Sequence, residues 1–336
     1  MPNDRDTDRA CNHRRAATPW ARETAPRRAP GRLGALLLAL TLTIGQSSAA
    51  LAKLYVVTTT PDLAAVARAV GGDKVEVESL AVATQDPHVV DPKPSFILKL
   101  NRADLFVKRG LELEIGWAPV LEKGARNAHV LPGGRGYVDA SAGITPLEIP
   151  AGPVSRAMGD VHPYGNPHYQ LDPANATIIA RDIVDGLSRV DEADRGYFEA
   201  RLAEFAKRVD EKLAGWVQLL APYRGAKMVT YHKSWDYFAQ RFGLDIIGTM
   251  EPKPGVPPSP AHLAQLITLM QKEHCKLLIK ESFYPENLTR VVAEKTGATV
   301  LTLPDSPGGA AGTDDYFGLM DYDVRQVAAA LAAASH

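Results

Sequence analysis

Cysteine is nearly absent from this sequence, with two residues in 336. That scarcity excludes a disulfide-rich scaffold and a zinc module built on thiolates. There is no excess of positive charge either: Lys and Arg number 38 against 39 Asp and Glu. A nucleic-acid binder needs a basic stripe to displace counterions from phosphates, and this balance argues against one. The apolar run at 33–44, LGALLLALTLTI, falls short of the roughly 20 residues that a membrane-spanning helix requires. What is present is 45% hydrophobic and 23% charged residues, enough for a packed core. The length suggests two domains of ordinary size.

The short apolar run has a different meaning. Before it, residues 1–32 hold eight Arg, no Lys and four acids; after it comes GQSSAALA, with Ala50-Leu51-Ala52 as a small-x-small cleavage site. A basic segment, a short apolar stretch and small residues read as a secretory signal peptide over 1–52. Cleavage would leave a mature chain of net charge −5 outside the cytoplasm, in the periplasm. It would also leave Cys275 alone, with no disulfide to form and no cysteine at the new amino terminus for a lipid. In HCKLLIKES, Cys275 reads as a small buried hydrophobe.

Beyond the leader, short β-branched runs alternate with amphipathic stretches. Strands are expected at 54–60, 75–80, 105–109 and around His129, then at 228–231, 245–249, 277–280 and 299–303. Helical patterns lie between them, as at 62–70 and 260–272. Such alternation means parallel sheets in an α/β fold, here in two sets. Between the sets, Phe198, Leu202, Phe205, Val209, Leu213, Trp216 and Leu220 recur every three or four residues, one stripe on a long helix that Pro222 stops. Its charged face, from Glu199 to Lys212, reads as solvated. The chain divides into a leader at 1–52, a lobe at 53–192, a joining helix at 193–220 and a second lobe at 221–336.

Histidine carries the chemistry. His13 and His336 lie near the ends; His262 and His274 read as solvated, and His129 as structural. Three others sit in loops next to strands or helices: His88 in QDPHVVDPKPS, His168 in GDVHPYGNPHYQLDP and His232 in MVTYHKSWDYFA. Ligands of parallel α/β sheets bind outside the carboxyl ends of strands, where His88 and His232 stand. Asp305 in LTLPDSPGG and Glu281 in LLIKES also follow strands. Taken singly, each has an ordinary structural reading as a loop cap or turn former. Jointly, three imidazoles and one carboxylate suit tetrahedral Zn²⁺. His162, six residues before His168, is a further candidate.

DPHVVDPKPS, followed by ADLFVKRGLELE, resembles the opening signature of the periplasmic zinc/manganese receptors of ABC importers, the ZnuA/TroA-like solute-binding proteins. NPHYQLDP is similar to their second ligand motif, VTYHKSWDYFAQRFGL to their third and LPDSPGG to their fourth, across about Leu54 to Leu331. The resemblance implies two α/β lobes, each a parallel sheet flanked by helices, joined by one long helix (the stripe from Tyr197 to Leu220), with a single metal in the cleft. It further implies His88, His168, His232 and Asp305 as ligands, a membrane permease as partner, and a monomer with no catalytic activity. The His- and acid-rich loop of many zinc members is missing: residues 129–165 hold only His129 and His162.

A glutamate in place of His232 would make a harder donor set suited to Mn²⁺. Three nitrogens and one carboxylate favour Zn²⁺, as does the Irving–Williams order. Zn²⁺ is therefore the expected cargo, with Mn²⁺ or Fe²⁺ as the alternative. A zinc hydrolase using Glu281 as base is the rival from another class, opposed by the absence of HExxH spacing. An adhesin is a third.

Overall fold

The computed structural model describes residues 52–155 and 158–334, so the leader expected at 1–52 lies outside the described residues except for Ala52. The chain folds as two parallel four-stranded sheets. The first has the order β2-β1-β3-β4, from β1 (Leu54–Thr58), β2 (Val75–Ser79), β3 (Leu105–Lys108) and β4 (Tyr137–Asp139). The second repeats it as β6-β5-β7-β8, from β5 (Lys227–Thr230), β6 (Asp245–Thr249), β7 (Leu277–Lys280) and β8 (Thr299–Thr302). In each, the chain steps outward from the first strand and then returns to its other side. This puts a switch point between β1 and β3, and between β5 and β7, where loops diverge and leave a crevice.

Proline sets several helix starts. Helices α1 (Pro61–Gly71), α2 (Pro94–Arg102), α4 (Pro173–Val190) and α7 (Pro260–Lys272) all begin on it, as its fixed φ and missing N–H allow in the first turn. The others are α3 (Ala118–Gly124), α5 (Arg195–Leu220), α6 (Asp236–Phe242), α8 (Glu286–Thr296) and α9 (Tyr316–Ala334). Among the described residues, no helix is long and apolar enough to cross a membrane.

The cores explain how the lobes hold together. Val57, Phe106 and Trp117 pack an outer core with α2 and α3, and Val229, Leu278 and Met270 pack another with α7 and α8. A third, larger core runs through both lobes, joining Val56 and Leu105 of the first sheet to Met228 and Ile279 of the second through α1, α4, α5 and α9. The long helix α5 lies within it, burying Phe198, Phe205, Val209, Trp216 and Leu220. It ends where the chain tightens into a 3₁₀ turn over Ala221–Tyr223, around Pro222.

Three expectations need correction. The fourth strand is not at His129, which lies exposed in a 3₁₀ turn; there the Asn127 side chain accepts from the His129 N–H. Its place is taken by Tyr137–Asp139. The charged face of α5 is not wholly solvated: Arg201 donates to the Ala69 carbonyl at 2.8 and 3.0 Å, Arg208 lies 3.9 Å over the Phe317 ring, and Lys212 pairs with Asp321. Nor is His262 solvated, since its Nε2 lies 2.9 Å from the Thr249 carbonyl.

The contact of α5 with α9 gives a modest prediction. Trp216 Nε1 donates to Asp321 at 2.7 Å, so Trp216→Phe keeps most of the packing and removes the donor. The expected cost is about 1 kcal/mol, a fall of roughly 2–4 °C in Tm by thermal denaturation.

Candidate metal centre

His88 and His168 are presented by the same local device. Each follows an acid or amide and a proline, as Asp86-Pro87-His88 and Asn166-Pro167-His168. The side-chain oxygen of the first residue accepts the histidine N–H, at 2.9 Å in both cases. The proline between them fixes φ and brings no N–H to compete. The loops are then anchored: Trp117 Nε1 donates to the Pro87 carbonyl at 2.9 Å, and Asn166 Nδ2 to the Lys233 carbonyl at 2.7 Å. His232 needs no such turn, because it stands two residues beyond β5 at the switch point of the second sheet.

The three rings converge. Their centroids are 5.1–5.3 Å apart in every pairing, and one ligating atom from each lies within 4.8 Å of the others. The nitrogens are set for a cation. His88 Nδ1 lies 2.9 Å from Asp86 Oδ1, and His232 Nδ1 lies 2.7 Å from Glu251 Oε2. A carboxylate can only accept, so each Nδ1 carries a hydrogen, and in the neutral imidazole Nε2 is then the nitrogen that keeps its lone pair. The Nε2 of His88 is buried with no hydrogen-bond partner, as are both ring nitrogens of His168. Burial, with the other imidazoles and Arg109 nearby, holds His168 well below the ordinary histidine range and therefore neutral.

The acids separate by environment. Asp305 is buried and does not join the close group of donors. Burial pushes its carboxyl up to about 7, partly opposed by the Arg109 guanidinium. Glu281 is buried too, and its Oε1 accepts from Trp235 Nε1 at 3.1 Å. Burial, with Asp305 nearby, raises it to about 8. His162 lies beside the group, its ring 5.3 Å from that of His88.

Two contributors escaped the sequence reading. Glu251, buried behind His232, also accepts the Gly255 N–H at 2.9 Å, so one oxygen ties the imidazole to the Pro-rich loop EPKPGVPPSP at 251–260. Carboxylates in this position orient ligand imidazoles and strengthen their donation. Glu251→Gln is expected to weaken metal affinity about tenfold, read by titration against a chelator of known affinity. The second is Arg109, fully buried, whose guanidinium reaches Asp62, Thr60, Gln170 and the Pro167 carbonyl, bracing the His168 loop. Its place at a strand end was visible; its partners were not.

The lobes are stitched together beside the site. Tyr237 donates to the Asn166 carbonyl at 2.8 Å, Arg241 makes two bonds to Asp172 at 2.6 and 2.7 Å, and Lys233 pairs with Glu148.

A family model described as "ZnuA: Zinc-uptake complex component A periplasmic" matches residues 56–330. Among curated relatives, the metal ABC transporter substrate-binding lipoprotein FimA of Streptococcus parasanguinis is 26% identical over 85% of this chain and 92% of its own length. The manganese ABC transporter substrate-binding lipoprotein PsaA of Streptococcus pneumoniae is 26% identical over 83% and 89%. Among solved structures, a crystal structure of ZnuA superimposes with a TM-score of 0.70 at 27% identity, covering 83% of this chain and 99% of that one. FpvC from Pseudomonas aeruginosa, in complex with Mn²⁺, has the same fold at a TM-score of 0.70 and 21% identity.

Proposed function

The chain belongs to the family of periplasmic zinc-uptake complex component A, whose members are substrate-binding receptors of metal ABC importers and not enzymes, and on that premise we propose that it captures Zn²⁺ outside the cytoplasm and delivers it to a membrane permease. His88, His168 and His232 supply three nitrogens, and Asp305 the fourth donor. The receptor works as a monomer in the periplasm, freed by cleavage of the leader at 1–52.

One observation carries this reading. Three imidazoles drawn from both lobes meet in one cleft, and buried nitrogens of His88 and His168 find no partner within the protein. An unsatisfied buried polar group costs about 1–3 kcal/mol, and a cation that accepts the lone pairs removes that cost. Neutral imidazoles with a single carboxylate suit Zn²⁺ better than Mn²⁺, which prefers more oxygen donors. The manganese named for PsaA supports a second reading, a Mn²⁺ receptor of the same build. Metal analysis of the mature protein purified without added metal separates the two. One equivalent of zinc, with an anomalous signal at the zinc edge located among the three histidines, is the expected result. One equivalent of manganese there would establish the second reading, and no metal after incubation with either ion would overturn both.

A further inference from the structure

His162 has no part in the ligand set proposed above, yet it is built like a ligand. One side of its ring bonds to the backbone of Glu112, while its Nε2 is buried without a partner. The anchoring carbonyl can only accept, so the bonded nitrogen holds the hydrogen and Nε2 keeps the lone pair. Leu111 and Glu112 adopt positive φ, at 50° and 64°, a strained turn for such residues at the point where this carbonyl is presented.

Its position matters as much as its tautomer. A small cavity of about 120 Å³ is lined by His162, His168 and His232. A wider one of about 620 Å³ is lined by His88, His162 and Ile115. The segment Asp160-Val161-His162 borders both. The His162 ring is as close to His88, at 5.3 Å, as the three clustered rings are to one another. His88 thus belongs to two overlapping groups of imidazoles.

We propose that His162 is a relay ligand: it binds the cargo ion in the wider cavity together with His88, passes it to His88, His168 and His232, and receives it again on release. The step is ligand exchange, in which a Zn–N bond to His162 gives way to bonds to His168 and His232 while His88 stays attached. Zinc has no electronic preference for one geometry and expands to five ligands in passing, so a donor within reach lowers the barrier to exchange in both directions. A relay therefore changes rates and leaves equilibrium affinity nearly untouched.

This inference rests on the receptor reading, and the test keeps the two apart. Zinc loading and its removal by a chromogenic chelator are followed by stopped flow in the full mature chain, with Kd measured separately. His162→Ala is expected to slow both processes at least tenfold with less than a threefold change in Kd. His162→Cys, which restores a donor, should recover the rates, and His162→Phe, which restores only bulk, should not. Unchanged rates in His162→Ala, or recovery by His162→Phe, would overturn the relay while leaving the receptor in place. A loss of affinity as large as that of His168→Ala would also overturn it, making His162 a permanent ligand. Failure of the unsubstituted protein to take up zinc would overturn the receptor reading itself.

Discussion

Zinc affinity is expected to fall at least about a hundredfold in His168→Ala, with the melting temperature of the metal-free protein almost unchanged. The affinity estimate follows from scale: four-ligand zinc sites bind with roughly 10–16 kcal/mol, so losing one ligand should exceed the 2.7 kcal/mol that a factor of about 100 represents. The stability estimate follows from this site. Neither ring nitrogen of His168 has a partner in the folded protein, so truncation removes an unsatisfied polar group along with some packing. The two effects oppose each other within about 1 kcal/mol. His232→Ala should match it in affinity and differ in stability. Removing that ring leaves Glu251, only 6% exposed, with the Gly255 N–H as its remaining partner at 2.9 Å. A buried carboxylate so stranded costs about 1–3 kcal/mol. Melting curves with and without zinc, paired with chelator competition, check both variants. Equal apo stability in the two would show that Glu251 does not depend on His232.

The contrast between these variants also marks what the sequence could and could not disclose. The two Asx-Pro-His turns are local, made by residues adjacent in the chain, and their chemistry is legible from the letters alone. So are most strands, since runs such as LYVVT bury both faces in a parallel sheet. Pairing across the fold is another matter. Glu251 lies 19 residues from His232 and meets it only because β6 runs beside β5. Bonds from Met250 to Thr230 and from Glu251 to Tyr231 then carry that register past the strand ends. The register shifts at Met228/Val229, and no local pattern encodes it. The misplaced fourth strand has a similar cause. Tyr137–Asp139 is three residues long, at an edge, and held by pairing with β3, whereas His129 and its neighbours looked apolar but follow a turn-forming Asn. His262 is a further case, since the carbonyl that binds it ends a strand 13 residues earlier and no local pattern encodes that contact.

Acidification should weaken zinc binding through a carboxyl group, in a window near pH 7. Free imidazole would place the loss near pH 6.5, but burial already holds His168 well below that value and His162 at about 3. Asp305, raised to about 7, must instead shed its proton to bind. Its affinity contribution is present above pH 7 and is lost as the pH falls through that value. The metal-free fold responds in the opposite sense. An acid whose folded pKa is raised contributes stability below its unfolded pKa near 4, and that contribution is lost as the pH rises through the folded value. Asp305 at about 7 and Glu281 at about 8 should therefore lower apo stability as the pH rises from about 4 to about 8, with zinc restoring the part due to Asp305. Asp305→Asn separates the two effects: affinity at pH 8 should drop tenfold or more, its pH dependence should flatten, and the apo melting temperature at pH 8 should rise. Glu281→Gln should also raise apo stability at high pH, yet cost less affinity, because Trp235 Nε1 already holds its Oε1 at 3.1 Å. A zinc-bound crystal decides between the carboxyls, since a ligating oxygen lies about 2.0–2.2 Å from zinc. An oxygen of Glu281 at that distance, with Asp305 turned away, would reverse the assignment, and the pH window would then move up towards 8 with the group that controls it.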